Sequence, residues 1–181
     1  MPLIKLNATQ GLTGTLPAVS GANLTNLDAG KVLQVVSTIK TDTFSSSTTG
    51  SFTDITGMSA SITPSASSSK ILVLANINTD SGNNSHIRLL RGSTAICVGD
   101  ASSSRSQVTG ASSRNSGTTD SMANNGISFL DSPSSTSALT YKFQFYLWSS
   151  LNWYLNRSKN DNDAGYGGRS ASTITLMEIG A

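Results

Sequence analysis

LTYKFQFYLW, residues Leu139 to Trp148, decides the fold class. Leu139, Tyr141, Phe143, Phe145 and Leu147 fall on one side of it, with Thr140, Lys142, Gln144, Tyr146 and Trp148 on the other. A repeat of two is that of a β-strand with one face in a core, since a helix needs apolar residues three and four apart. The second face carries Tyr146 and Trp148, and Trp153 and Tyr154 follow at once. Either these aromatics fill a second layer or a subunit contact, or they form a binding surface. We take Trp148, Trp153, Tyr154 and Tyr166 as the candidate surface contacts.

Outward from this stretch the same pattern recurs. On its C-terminal side, after the loop SKNDNDAGYGGRS (Ser158 to Ser170), Thr173, Thr175, Met177 and Ile179 alternate with Ile174, Leu176 and Glu178. This last strand is expected to pair centrally, because an exposed apolar edge invites aggregation. On the N-terminal side, GISFL (Gly126 to Leu130) is a short apolar strand, and Ala101 to Asn125 offers few apolar anchors, as in long loops between short edge strands. HIRLLRGSTAICVG (His86 to Gly99) reads as a hairpin closed around Arg91 to Thr94. KILVLANIN (Lys70 to Asn78) is apolar on both sides, which places it mid-sheet between layers or at a subunit interface. In GMSASITP (Gly57 to Pro64), Met58, Ala60 and Ile62 share one face; KVLQVVSTIK (Lys31 to Lys40) is rich in β-branched residues. Strands at this spacing, separated by Ser, Thr, Gly and Asn, indicate an all-β sandwich or barrel.

Ahead of Lys31 the pattern dissolves. In GLTGTLPAVSGANLTNLDAG (Gly11 to Gly30), Leu12, Leu16, Val19, Leu24 and Leu27 are separated by small residues and are too sparse to bury one another. We therefore expect an arm over residues 1–30, ordered by docking or by trimerising, and one domain over residues 31–181. A chain of 181 residues is long enough for one real core.

Composition narrows the partners. Charged residues make up 12% of the chain, while Ser and Thr number 33 and 21, so hydroxyls and amides build most of the polar surface. A net charge of +2, dispersed along the chain, gives no cationic cluster of the kind that phosphate binding needs, and the pI of 8.8 reflects few charges instead of a basic face. No apolar run approaches the ~20 residues of a bilayer-crossing helix, and Met1 to Gln10 lacks a secretory h-region. We expect a soluble chain that binds no nucleic acid and enters no membrane.

Chemistry is hard to place. His86 is the sole histidine, so any His-based triad must use it, yet no GxSxG elbow marks a nucleophile. Cys97, the one cysteine, sits in the apolar run AICVG and reads as a small buried residue. Asp161, Asn162 and Asp163 offer oxygen ligands, but the alternating register of a calcium loop and its distal Glu are missing; the alternative is a turn tip. YGGRS lacks the lysine of a phosphate loop. We expect no enzyme, no catalytic residue, no metal site and no cofactor.

Two segments carry a family likeness. TGTLPAVSGANLTNLDAGKVLQVVST (Thr13 to Thr38) resembles the junction between shaft and distal domain in tail-fibre proteins of tailed bacteriophages of aquatic bacteria, cyanobacteria included. FTDITGMSASITPSASSSKILVLANIN (Phe52 to Asn78) and STITLMEIGA (Ser172 to Ala181) resemble the distal β-domain of those proteins. The resemblance implies an antiparallel, jelly-roll-like β-sandwich, assembled as a homotrimer in the virion within the host cytoplasm and joined to other virion proteins by the arm. Only a short stretch precedes Thr13, where the family carries a long shaft, so this chain is not expected to reach far by itself.

Two roles follow from the resemblance. The first is a short trimeric fibre or fibre tip that meets a glycan or protein on the host surface. The alternative is a trimeric capsid decoration or cement protein whose arm clamps shell subunits.

Overall fold

A computed structural model describes residues 30–81, 84–112, 120–149 and 151–180. The arm residues Leu12, Leu16, Val19, Leu24 and Leu27 lie outside the described residues. The described chain is all β, with eleven strands: β1 (Val32–Lys40), β2 (Phe44–Ser46), β3 (Phe52–Ile62), β4 (Lys70–Ser81), β5 (Ser85–Arg91), β6 (Thr94–Ile96), β7 (Gly110–Ser112), β8 (Ala123–Asp131), β9 (Leu139–Leu147), β10 (Trp153–Leu155) and β11 (Ser172–Ile179).

The strands form two antiparallel sheets. In the first, β4 pairs with β8 along one flank and with β11 along the other, and β1 closes the far side of β11. The short strands β10 and β2 prolong β11 and β1 past the point where those pairings end, Trp153 lying between Ser81 and Ser46. The second sheet runs β3-β9-β5-β6, with β7 beside β6 on the same flank of β5. The last strand, β11, is indeed central, between β1 and β4.

Alternation in the sequence becomes burial in the fold. Ile71, Val73, Ala75 and Ile77 of β4, with Ile174 and Leu176 of β11, pack against Met58 and Ile62 of β3, Ile87 and Leu89 of β5, and Tyr141, Phe143, Phe145 and Leu147 of β9. Both sheets thus share one core, as facing layers of a sandwich do. Each large side chain fully buried there contributes roughly 1.5–3 kcal/mol. Leu72 and Leu74 point the other way and are only half-buried, so β4 is central in its sheet while its outer side is only partly covered by the described residues.

Two local features interrupt the ladders. The pairing of β3 with β9 slips between Asp54 and Ser59, and Gly57 sits in that slip with φ of 83°. A side chain at Gly57 is disfavoured by the left-handed backbone, and its Cβ would displace the Lys40 amine, 3.2 Å away, by a few tenths of an ångström. The β5–β6 hairpin turns at Gly92, φ 59°, as its sequence indicates; β6 then ends at Ile96 because Cys97 leaves the strand at φ 53°.

Candidate functional site

The strand directions give the molecule two unlike poles. At the first, the chain enters at Gly30, whose N–H donates to the Gly180 carbonyl at 2.6 Å, while Gly180 N–H donates back to Lys31 at 2.9 Å. The connections 63–69, 92–93 and 132–138 are also here. At the second pole lie the described connections 41–51, 120–122, 148–149 and 151–171. Nine residues of β1 separate the poles, about 30 Å at 3.3 Å per residue.

The second pole is held by buried polar anchors. Asn156, φ 63°, donates from its side-chain amide to the carbonyls of Lys40 at 2.8 Å and Asp42 at 2.9 Å, and accepts from the Ser172 hydroxyl at 2.7 Å. The Asp80 carboxylate accepts the N–H groups of Ser81 and Lys159, both at 2.6 Å. Asp120 accepts from the Asn162 amide at 3.1 Å. The segment after β10 is therefore tied to β1, β4 and β11 and presents a defined surface.

On that surface stand Trp148, 67% exposed, and Tyr166, 68% exposed. The other two aromatics in the expected contact set are elsewhere, and that expectation is corrected. Trp153 is fully buried, stacked on Phe145 with ring centroids 5.0 Å apart and edge-on to Phe44 at 6.2 Å. Tyr154 is buried as well, with the Arg157 guanidinium 4.3 Å above its ring. The cause is β10 itself: wedged between β4 and β2, it buries all three of its residues.

Within the acidic loop, Asp161 is already paired. Asp161, at φ 53°, accepts from Arg169 at 2.8 Å and lies 3.5 Å from Arg157. Two guanidiniums already neutralise this carboxylate, which disfavours its use as a cation ligand. Among the described residues no group of three or more His, Cys, Asp or Glu is placed to hold a metal.

His86 stacks against Tyr146 with centroids 6.1 Å apart, and burial lowers its pKa below the ordinary 6.5. Its Nδ1 is buried with no hydrogen-bond partner among the described residues, so none of them orients it as the acid of a Ser-His-Asp triad would. Cys97 packs against the core and burial raises its thiol pKa, away from the reactive thiolate.

The outer faces of the two sheets differ sharply. On the second sheet, Asp54 accepts from Lys142 and Gln144, both at 2.7 Å, and Arg88 donates to Gln144 at 2.7 Å while lying 3.6 Å over Phe52. On the first sheet, the register brings Leu130, Leu72, Met177 and Val35 side by side across four strands. Next to that row the face dips at Gly126, between Leu74, Asn76 and Thr173. The large exposed apolar side chains among the described residues lie either on β1 and β8 of this sheet or at the loop pole. The sequence signal for the face is the doubly apolar β4; the row itself needs the strand register to become visible.

No protein-family model and no curated protein matches the chain.

Proposed function

We propose that this chain is a structural component of a tailed-bacteriophage virion, a short trimeric fibre or fibre tip held through its N-terminal segment and contacting the host at the loop pole. The observation that carries this is the opposition of the poles: the chain enters beside Gly180 and the anchored loops with Trp148 and Tyr166 lie at the far end of the strands. Attachment at one end leaves the other free to meet a surface.

Two further features support it. The order β1-β11-β4-β8 facing β3-β9-β5-β6 is the connectivity of a jelly roll, an architecture shared by viral capsid and lectin domains. Exposed Trp and Tyr on a rigid base supply contact area at low entropic cost, and neighbouring Asn and Ser supply adaptable hydrogen bonds, which suits a glycan or a protein surface. Three copies on one fibre multiply a weak individual contact through effective concentration. The role is one of binding, without a reaction.

The test is adsorption. The double variant Trp148→Ala, Tyr166→Ala in the full chain is expected to bind host cells at least tenfold more weakly, with its assembly mass unchanged. Undiminished binding contradicts the role assigned to this pole.

A further inference from the structure

We infer that the outer face of the β8-β4-β11-β1 sheet is where one copy of this chain packs on another. The inference rests on the trimeric reading above and names the surface that builds the assembly. The row Leu130, Leu72, Met177 and Val35 is the centre of this face; Leu130 is 48% exposed and Val35 55% in a single copy. Ile39, at 64%, extends it along β1.

The chemistry of the face selects its occupant. Lys70, at one corner, is the exposed charged strand residue on this side; Asp80, at the other end of β4, is buried under the Lys159 N–H, and Glu178, Asp131 and Lys40 point inward. A nucleic acid or an anionic surface finds a single strand cation, Lys70, and no cluster to pair with. Around a three-fold axis each copy turns one side of this face to one neighbour and the other side to the next, so apolar row packs on apolar row, with hydroxyls such as Ser37 and Thr175 beside it. The outer face of the opposite sheet differs in carrying a charged ladder of Asp54, Lys142, Gln144 and Arg88, beside the packed rings of Phe52, Tyr146 and His86.

Four strands about 4.8 Å apart and about 30 Å long offer roughly 550 Å² of footprint to be shared between the two neighbours of a trimer, a modest area beside the ~800 Å² that each partner gives to a standard interface. The strand β1 is also a long edge, paired on one side by β11, with Val32, Val35 and Ile39 exposed. Uncovered apolar edges promote uncontrolled pairing, and a copy packed on this face shields the Val35 and Ile39 side chains beside that edge.

The experiment compares the full chain with Val35→Glu, Leu130→Glu by sedimentation equilibrium at micromolar concentration. Wild type is expected at three times 18.8 kDa and the double variant at 18.8 kDa, with far-ultraviolet circular dichroism unchanged. A trimer that survives both glutamates overturns the assigned face and leaves trimerisation standing; a monomeric wild type overturns both. Should the variant fail to fold, oxidative footprinting of wild type decides: Met177 protected in the trimer while Trp148 reacts supports the face. Equal reactivity overturns it, as does protection in a monomer, which would mean that the chain's own N-terminal segment covers it.

Discussion

The Tyr141 hydroxyl donates a 2.6 Å hydrogen bond to the Asp131 carboxylate, linking β9 of one sheet to β8 of the other. Arg91, on β5, completes the link with contacts of 2.8 and 2.7 Å to the two carboxylate oxygens. Burial, reinforced by Asp131, raises the Tyr141 pKa, so the phenol stays a donor across the ordinary pH range. This trio bolts the sheets together near the pole where the chain enters.

Unequal costs are expected when its members are removed. Tyr141→Phe deletes one hydrogen bond and should cost about 1 kcal/mol, whereas Asp131→Ala leaves a buried phenol and a guanidinium without their acceptor and should cost about 2–3 kcal/mol. Urea denaturation measures both; equal losses would show that the carboxylate is not the hub.

A second bolt near the same pole sets a pH dependence. Burial of Glu178 opposes its ionisation, but hydrogen bonds from Ser65 and Gln34 outweigh that and hold the carboxyl at about 2, below its ordinary 4.5. A lowered folded-state pKa contributes stability that is complete above 4.5 and lost as pH falls toward 2. Denaturation curves from pH 6 to pH 2 should show wild type losing its advantage over Glu178→Gln in that window. A constant difference across it would remove Glu178 as the cause.

Trp153 and Trp148 should behave as opposites. Trp153→Ala empties a site stacked on Phe145 and should cost about 3–5 kcal/mol. Trp148→Ala, at an exposed position, should change stability by less than about 0.5 kcal/mol. Thermal melts of the two variants separate a core tryptophan from a surface one.

What is legible in the sequence follows from strand length. In β9 the repeat of two runs for nine residues with one apolar face, so the alternation alone assigns Phe143 to the core; in β4 and β11 it marks a strand without choosing the face, and only the packing of the sheets puts Val73 and Leu176 inside. The three-residue strands β2, β7 and β10 are too short to show a period, and for that reason Trp153 reads as surface in the sequence. Asp131, Arg91 and Tyr141 give no local signal, because the carboxylate meets them only when the two sheets face each other. The apolar row on the first sheet is similar: Val35 and Leu130 are ordinary strand residues within their own segments and become neighbours of Leu72 and Met177 only through register. At the loop pole, residue type alone points to Trp148 and Tyr166, and their exposure comes from the anchoring of the segment after β10.

The most direct test of the proposal that this chain belongs to a virion and turns its loop pole outward is electron microscopy of intact phage particles labelled with an antibody to residues 101–125. Label at the distal ends of the tail is the predicted result. Regular label over the head would contradict the fibre role in favour of capsid decoration, and particles that carry no label would contradict a place in the virion altogether.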